Sequence, residues 1–365
     1  MSHGPLVGLR VLELTGLGPA PFACAMLADA GADVVCIDRP GSQYDPTNIL
    51  ARGRRSVSLD LKQPEDVSTA LALAEKADLF IEGFRPGVIE HMGLGPAVLL
   101  KHNPRLVIGR MTGWGQSGPL ALTAGHDINY IALSGALASI GQAGGPPVPP
   151  LNLVGDFGGG AMLLLFGLMA ALYETKHSGR GQVVDASMTD GSIALMGIFQ
   201  LMRSQGRWSG PRGTNWLDGG AHYYGCYECA DGRWLAVGAI EAPFYRALRE
   251  RLGLLDDALF DTQNDPALWP TQKARLAAVF HLRDRQGWCE HFEGSDACVS
   301  PVLDLDEVAA HPHNAARGAM TSAFGVPQPS PVPRFSRTPG TTGEAPRAPG
   351  MDRVSVMRDW LGLAN

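Results

Sequence analysis

The sequence predicts an α/β fold whose first part is a Rossmann-like domain, an open and mostly parallel sheet covered by helices. Short apolar runs typical of buried strands alternate with helical patterns between residues 9 and 202. The first strand, 9–14, ends at a glycine-rich turn, and a helix over 21–30 and a second strand over 32–38 follow it. This order is a βαβ unit, and its repetition favours parallel strands joined by helices.

Later elements continue the pattern, and the chain then changes in character. Residues 223–239 alternate between apolar and polar around the turn 230–232, which is typical of a β-hairpin. We therefore expect a large domain from residues 1–205 plus 330–365 and a small α+β domain from residues 206–329. The remaining predictions are strands at 57–61, 79–82, 106–110 and 182–187, helices at 64–76, 190–202, 243–252, 270–279 and 351–361, and an extended proline-rich arm at 327–349.

The composition is that of a soluble globular enzyme. Of the 365 residues, 45% are hydrophobic and 18% are charged, and the formal net charge of −6 argues against nucleic-acid binding. The longest apolar run, 161–172, is broken by Gly167 and is shorter than a bilayer span. We therefore expect a buried helix there and no membrane partner.

The cysteines and the two ends of the chain bear on the compartment. Six irregularly spaced cysteines suggest no disulfide framework, so reduced thiols in a cytoplasmic setting are expected. The first residues lack the segments of a secretory signal, and the last are not a peroxisomal address. Cys226 and Cys229 form a C-x-x-C pair without a second pair to complete a site, so we expect no metal.

Two short segments thirty residues apart carry the strongest chemical signal. Segment 124–130 (AGHDINY) places His126 beside Asp127, and segment 155–160 (GDFGGG) places Asp156 before three glycines. An imidazole and a carboxylate on opposite faces of one carbon can remove a proton from one side and return one to the other. Such transfer needs a neighbouring carbonyl whose developing negative charge is stabilised. The pair therefore predicts racemase chemistry.

Each of these residues also has a structural explanation. Asp156 is suited to cap the helix expected behind it, where the side-chain-free amides could instead approach an enolate oxygen. A loop histidine is commonly a surface residue, although a neighbouring carboxylate could fix the tautomer of His126 and raise its basicity. Glu241 ends an apolar strand just before a helix. It is a helix cap or a surface residue or, if the small domain closes over the large one, the group that orients His126.

Basic residues concentrate in the first third of the chain, several of them at expected strand ends, where open α/β sheets bind ligands. Guanidinium groups pair with phosphate oxygens and stack on purines, so this placement favours a phosphate-bearing nucleotide. A solvated surface with incidental arginines is the alternative. The group consists of Arg39, Arg52, Arg54, Arg55, Lys62, Arg85 and Arg105.

The turn Gly16-x-Gly18, with Asp38 at the end of the second strand, superficially resembles a dinucleotide-binding fingerprint. Pro21 stands where the third glycine belongs, and Pro19 and Pro21 remove amide donors from the helix start. A tight turn in a Rossmann-like unit is the better interpretation, so we expect no nicotinamide cofactor.

With these segments assembled, the chain strongly resembles, almost from end to end, the α-methylacyl-CoA racemases, a branch of the family III CoA-transferase superfamily. The dipeptide His126–Asp127 and the segment 239–241 (AIE) mark the racemase branch, because the transferases usually carry an apolar or aromatic residue at the histidine position. The matching segments are 8–14 (GLRVLEL), 82–88 (EGFRPGV), 111–119 (MTGWGQSGP), 124–130 (AGHDINY), 152–160 (NLVGDFGGG), 236–241 (AVGAIE) and 296–303 (DACVSPVL).

The resemblance implies an assembly and roles for the site residues. It implies an interlocked homodimer in which each chain is threaded through a hole in the other, with the active site between domains of different subunits. It implies that His126 and Asp156 are the two acid/base groups and that Glu241 supports the histidine. The residues that it implies for the CoA and thioester site are Arg39, Leu59, Asp60, Leu61, Lys62, Gly83, Phe84, Arg85, Gly125, Asp127, Ile128, Asn129 and Tyr130, and we expect Arg105 and Asn152 beside them.

We therefore expect a racemase or epimerase that interconverts (R)- and (S)-2-methylacyl-CoA thioesters and needs no cofactor, since CoA is part of the substrate. By the family's face assignment, His126 removes the α-proton from the S face and Asp156 returns one to the opposite face. The flat enolate between these steps is expected to lie against amides near the start of the Asp156 helix. The chief rival is CoA transfer with Asp156 as nucleophile, and a third class is a non-catalytic CoA-ester binder.

Overall fold

A computed structural model of the protein describes residues 3–208 and 210–363. Within them the chain forms two compact units. The first unit consists of the described parts of Met1–Ser134, Leu151–Leu195 and His311–Asn365, and the second consists of the described parts of Gly135–Pro150 and Met196–Ala310.

These boundaries differ from the expected ones. Residues 135–150, 196–205 and 311–329 lie in the opposite unit from the domain that we expected for them. The transfer of 135–150 has a visible cause in the second unit, because the Arg212 guanidinium donates to the Gly145 carbonyl at 2.8 Å. The second unit therefore includes a segment, residues 135–150, that comes much earlier in the chain than the rest of the unit. Its position in the sequence does not reveal this.

In the described part of the first unit, six parallel strands form one sheet in the order β3-β2-β1-β4-β5-β6. This order begins in the middle and winds outwards in both directions, which is the arrangement of a Rossmann fold and confirms the predicted α/β class. The strands are β1 Arg10–Leu14, β2 Asp33–Asp38, β3 Arg54–Ser58, β4 Leu79–Glu82, β5 Val107–Thr112 and β6 Val183–Ser187.

Helices connect these strands and build much of the second unit. Several begin with proline in their first two positions, where the missing N–H group costs no helical hydrogen bond. The α-helices are α1 Pro19–Asp29, α2 Pro64–Lys76, α3 Val88–His91, α4 Pro96–His102, α5 Asp127–Ser134, α6 Ala136–Ser139, α7 Leu163–Ser178, α8 Met188–Leu195, α9 Gly197–Ser204, α10 Ala242–Arg251, α11 Trp269–Phe280, α12 Arg285–Phe292, α13 Pro312–Ala316 and α14 Arg353–Leu361.

The sheet of the first unit is buried on both faces, which explains why its strands are apolar at successive positions. In β1, Val11 points into a core cluster with residues of α1 and α7. The next residue, Leu12, points into a cluster with residues of α2 and α14. Phe80 of β4 belongs to the second of these clusters and is fully buried.

Strand β3 begins three residues earlier than predicted, at two arginines. A strand accepts them because each guanidinium is paired, Arg54 with Glu13 and Arg55 with Asp33. The predicted helix 190–202 is also wrong as one element, because it is divided into α8 and α9 where the chain passes from the first unit to the second.

A π-helix, Leu153–Met162, leads directly into α7. The combined run Leu153–Ser178 has 26 residues and is long and apolar enough to cross a membrane by length and composition alone. It is longer than the expected run 161–172 because the π-helix extends it. Leu164 and Leu168 face the sheet in the core, whereas Phe166 is 73% exposed. Core helices of soluble proteins can have the same length and composition, so these two features alone do not establish a membrane span.

The second unit contains an antiparallel sheet of order β7-β8-β9, and its β7–β8 hairpin confirms the hairpin predicted around residues 230–232. Its core is aromatic, with Tyr223, Phe260 and Phe280 fully buried among residues of α10–α12. The strands are β7 Tyr224–Glu228, β8 Trp234–Gly238 and β9 Val299–Pro301.

The C-terminal part of the chain returns to the first unit. A hairpin of β10 Met320–Ala323 and β11 Val326–Pro329 precedes the proline-rich arm, so the start of the predicted arm is a strand. The arm is hydrogen-bonded to the unit where the Thr341 N–H group donates to the Asp29 carbonyl at 3.0 Å. In α14, the Trp360 indole donates to Asp33 at 2.8 Å and holds the last helix beside β2.

Candidate active site

The two segments with the strongest chemical signal meet in the first unit, at the amino end of α5. The Asp127 carboxylate accepts the backbone N–H group of Asp156 at 2.8 Å. Because His126 directly precedes Asp127, one residue and one hydrogen bond connect the two candidate acid/base groups. The fold therefore brings the backbones of residues 126 and 156 close together within the first unit.

The loop that carries His126 is held by its own neighbours. The His126 N–H group donates to the Asn129 side-chain oxygen at 3.0 Å, and the His126 carbonyl accepts the Asn129 N–H group at 2.8 Å. The buried Tyr130 donates its hydroxyl to the Gly125 carbonyl and packs its ring edge-on against Trp114. Gly125, Asn129 and Tyr130, expected to line the substrate, thus also fix the backbone of His126, whose side chain is exposed.

Asp127 is buried and its carboxylate bonds to the Asp156 segment. It therefore does not fix the tautomer of His126, the role considered from the sequence. Burial raises the pKa of the Asp127 carboxyl, and the negative charge of Asp156 raises it further. Hydrogen bonds from the backbone of Asp156 and Gly155 act in the opposite direction, because they stabilise the charged form. Asp127 therefore connects two backbone segments.

Asp156 lies beside the turn between β1 and α1. The Asn152 amide donates to the Asp156 carboxylate at 3.0 Å, and a Cβ atom added to Gly18 would lie 3.6 Å from the same carboxylate. The ring of Phe157 contacts that of Phe22 in α1, with centroids 4.8 Å apart. The turn follows the carboxyl end of β1, so Asp156 stands at the edge of the sheet where Rossmann folds bind ligands.

The three glycines after Asp156 pack against α8, a role that the sequence did not indicate. A Cβ atom on Gly159 would lie 2.7 Å from the Ser192 nitrogen, and one on Gly191 would lie 1.9 Å from the Gly159 oxygen. The π-helix and α8 therefore touch through their backbones. Asp156 is also the fourth residue of the π-helix, so its predicted position as helix cap is wrong.

A cavity of about 470 Å³ lies at the carboxyl ends of β1, β2 and β4 and after β3, near the point where the strand order reverses. It brings together six of the residues expected at the CoA site. Five of them have side chains that suit a nucleotide, with two basic groups for phosphates and three apolar groups for a base. The six are Arg39, Leu59, Asp60, Leu61, Lys62 and Phe84.

A buried ion pair supports the segment that carries Gly83, Phe84 and Arg85. The Glu82 carboxylate accepts the Phe84 N–H group at 2.7 Å and pairs with the Arg110 guanidinium at 2.8 Å. Burial raises the pKa of Glu82, and the hydrogen bond from Arg110 opposes that rise. Phe84 is thereby fixed at the wall of the cavity.

Arg85 is exposed and connects the cavity region with the acid/base region. Burial raises the pKa of the Tyr130 hydroxyl, the charge of Asp156 raises it further, and the positive charge of Arg85 opposes the rise. The charges of Arg85 and Asp156 therefore both reach the Tyr130 hydroxyl, with opposite effects on its pKa. Ile128, next to His126, is exposed as well.

The structure separates Arg105 from this group. Arg105 precedes β5 and lines a different cavity, at the amino ends of the strands. It therefore lies at the opposite edge of the sheet from Arg39. Three other members of the basic cluster are engaged in ion pairs, namely Arg52 with Asp29, Arg54 with Glu13 and Arg55 with Asp33.

Glu241 lies in the second unit, where it precedes α10 and its backbone carbonyl accepts the Tyr245 N–H group. It occupies the cap position of α10 with an exposed side chain that makes no capping hydrogen bond, which fits the surface role considered from the sequence. Among the described residues no group of three or more His, Cys, Asp or Glu side chains is arranged to hold a metal ion.

Several site residues were not predicted. Leu14, Ile37 and Met92 line the cavity with Phe84, and Gly18 lies beside Asp156. The signal for Leu14 and Ile37 was present, since each ends or nearly ends a predicted strand at the ligand-binding edge. The approach of Gly18 to Asp156 depends on long-range packing, which one sequence does not show.

Comparison with known proteins gives consistent results. The sequence matches CoA-transferase family III over residues 6–353. It is 46% identical to alpha-methylacyl-CoA racemase of mouse, covering 97% of this chain and 93% of the relative, and 46% identical to the human protein of that name, covering 92% and 87%. A solved CAIB/BAIF family protein from Brucella suis superposes with a TM-score of 0.84 at 22% identity, over 98% of this chain and 100% of the other. This chain therefore belongs to CoA-transferase family III.

Proposed function

We propose that this protein is a racemase that interconverts the R and S forms of 2-methylacyl-CoA thioesters. The observation that carries the proposal is the hydrogen bond that joins the His126 loop to the Asp156 segment at the ligand-binding edge of the sheet. The names of the mouse and human relatives support the same reaction.

In the proposed mechanism, the His126 imidazole takes the proton from C2 of the thioester, and the electron pair moves onto the carbonyl oxygen as an enolate. The Asp156 carboxylic acid then gives its proton to the opposite face of C2. In the reverse direction the two groups exchange roles, and exchange with solvent restores their protonation states. General acid–base catalysis of this kind contributes about 10²–10⁴-fold per group.

The enolate oxygen is proposed to lie at the amino end of α5 rather than at the Asp156 helix. The backbone N–H groups of Gly155 and Asp156 already bond to Asp127. At α5, the N–H groups of Asp127 and Ile128 belong to the first turn and have no partner within the helix. They follow His126 directly, so an oxygen bound there keeps C2 within reach of the imidazole.

The nucleotide of CoA is proposed to occupy the 470 Å³ cavity, with Arg39 and Lys62 facing phosphates and Phe84 facing the base. Arg85 directly follows Phe84 in the chain and is proposed to face the remaining phosphate charge. Asn152 is assigned to Asp156, to which it is hydrogen-bonded. Arg105 is left out of the proposed site, and no cofactor is proposed because CoA is itself part of the substrate.

Incubation with one enantiomer of a 2-methylacyl-CoA in deuterated water tests the reaction. Deuterium uptake at C2 with loss of optical purity, in the absence of any acceptor acid, is the expected result. His126→Ala and Asp156→Ala are each expected to lower the exchange rate by about 10²–10⁴-fold. His313→Ala, at an exposed position in α13, is the matched control and keeps the wild-type rate.

The second candidate function is CoA transfer between acids, in which Asp156 attacks the thioester and forms a mixed anhydride. The family assignment favours it, because transferases share this fold. Absence of C2 exchange, together with hydroxylamine-sensitive inactivation and CoA transfer to an added acid, contradicts the racemase and establishes the transferase. A non-catalytic CoA-ester binder shows neither activity, although it binds CoA.

The proposed assembly is an interlocked homodimer in which Glu241 of one chain supports His126 of the other. Exposed apolar side chains on the helices of the first unit support an extensive partner surface, since monomers rarely expose large apolar patches. Phe166 and Tyr173 of α7 are 73% and 68% exposed, and Leu133 of α5 is 58% exposed. Sedimentation at nanomolar concentration is expected to show a dimer that resists dissociation by dilution.

We also propose that the protein acts in the cytoplasm, with neither a membrane nor a nucleic acid as partner. The acidic net charge supports the second exclusion. The exposed face of α7 is proposed to contact a second copy of the chain rather than lipid. Fractionation of source cells tests this, because recovery in the membrane pellet contradicts the proposal.

A further inference from the structure

The Asp127 carboxylate is buried without a cation to compensate its charge. The residue is 8% exposed, and among the described residues no lysine, arginine or histidine forms an ion pair with it. Burying a carboxylate without a counter-ion is costly unless hydrogen bonds replace the lost water. Here the backbone of Asp156 and Gly155 supplies them. The side chain thus bonds to the polypeptide backbone.

These hydrogen bonds complete the start of the π-helix. The first N–H groups of a helix have no partner within it, and a side chain at the cap position usually accepts one of them. At this helix the cap residue is Asn152, whose side chain makes no capping bond and donates to Asp156 instead. Asp127 takes over the capping function from a different helix, and it thereby fixes the π-helix against α5.

The joint between the Asp127 carboxylate and the backbone of residues 155 and 156 is restricted in space as well as in its hydrogen bonding. A Cβ atom on Gly155 would lie 2.3 Å from the nearer Asp127 oxygen and 3.1 Å from Ile131. No side chain therefore fits at position 155 while the Asp127 carboxylate stays in place. The contact sets a single distance between the backbones of residues 127 and 156.

We infer that the Asp127 side chain has a positioning role: it sets the separation between the His126 imidazole and the Asp156 carboxylate and does not itself bind the substrate. The inference rests on the proposed function, because it assigns both groups to one reaction. Displacement of a reacting group by about 1 Å can cost about 100-fold in rate. A hydrogen bond of fixed length between the two segments prevents such displacement.

The test compares Asp127→Ala, which removes the acceptor, with Asp127→Asn, which keeps a carbonyl oxygen at the same place. C2 exchange is measured separately from the R and the S thioester, so that each face is observed. Asp127→Ala is expected to lower kcat about 100-fold while KM for the thioester and Kd for CoA change less than about twofold. Asp127→Asn is expected to stay within about tenfold of the wild-type kcat. Asp190→Ala, at an exposed position in the first turn of α8, is the control.

Two results overturn the inference. An Asp127→Ala variant with wild-type kcat shows that the joint is not needed, and one with unchanged kcat but weakened CoA binding shows that Asp127 contacts the substrate. Amide hydrogen exchange at Asp156 gives a reading that does not depend on activity, since protection is expected to fall in Asp127→Ala and to persist in Asp127→Asn. If the wild type itself shows no C2 exchange, the proposed function fails, and the amide measurement still decides whether Asp127 holds the Asp156 segment.

Discussion

Two buried carboxylates, Glu82 and Asp127, perform similar structural work in different ways. Each accepts a backbone N–H group of a site segment, Glu82 from Phe84 at 2.7 Å and Asp127 from Asp156 at 2.8 Å. Glu82 is paired with Arg110, whereas Asp127 forms no ion pair with a basic side chain in the described part of the chain. The counter-ion of Glu82 lies beside the wall of the cavity proposed for the CoA nucleotide. A positive charge beside Asp156, the proposed proton donor, would instead favour the ionised form of that carboxyl.

The largest effect is expected from removing the counter-ion of Glu82. Arg110→Met leaves that carboxylate buried and unpaired, so the free energy of unfolding should fall by about 3–5 kcal/mol. Arg55→Met is the matched control, since its ion pair with Asp33 is partly exposed and is worth about 0–1 kcal/mol. Urea denaturation measures both. Equal losses of unfolding free energy in the two variants would contradict the claim that burial makes the Glu82–Arg110 pair more costly to break.

A smaller loss is expected at the joint that lacks a counter-ion. Gly155→Ala places a Cβ atom 2.3 Å from an Asp127 oxygen, so it should cost about 1–3 kcal/mol in unfolding free energy and also slow C2 exchange. Gly197→Ala is the control, because nothing lies within 4 Å of the added atom. A Gly155→Ala protein with full stability and full exchange contradicts the close contact.

Phe84, whose N–H group is held by Glu82, tests the effect of the cavity wall on ligand binding. Phe84→Ala should weaken CoA binding by about tenfold, or about 1.4 kcal/mol, and leave kcat at saturating thioester within twofold. Isothermal titration with CoA measures the first and the exchange assay the second. Loss of kcat with unchanged CoA affinity places Phe84 at the reacting carbon instead of in the nucleotide cavity.

The smallest expected effect is a pH dependence. Burial raises the pKa of Asp127 in the folded protein, so this carboxyl favours folding at low pH, and the benefit is lost as the pH rises above its unfolded value of about 3.9. Wild-type protein should therefore lose stability relative to Asp127→Asn as the pH rises from about 4 through the raised pKa of the Asp127 carboxyl. Denaturation midpoints at several pH values measure the difference, and Asp190→Asn is the exposed control. A difference that does not vary with pH contradicts the shift.

The sequence was sufficient to predict the elements with strong local signals. Strand periodicity and the β-then-α order gave β1, β2, β4 and α2 nearly to the residue, because their apolar patterns fit buried parallel strands and an amphipathic helix. It misplaced β3 because the arginines that begin it are neutralised by Glu13 and Asp33, which lie far away in sequence. Pairing between distant charges has no local signature.

The candidate site was predictable in its residue types and less so in its geometry. His126 and Asp156 stood out by their neighbours, and the basic residues at strand ends pointed to the edge of the sheet where the cavity lies. The role of the glycines after Asp156 was misread, because only the packed α8 shows that Gly159 is a helix contact. Arg105 was misplaced for a similar reason, since an arginine near a strand end does not reveal which end of the sheet it faces.

The hydrogen bond that fixes residue 156 comes from its main chain and not from its side chain. Any amino acid except proline can occupy this position and still donate that bond. Replacement of the Asp156 carboxylate removes its hydrogen bond with the Asn152 amide but leaves the main-chain bond to Asp127 in place. Such independence allows one architecture to adopt new chemistry through single replacements.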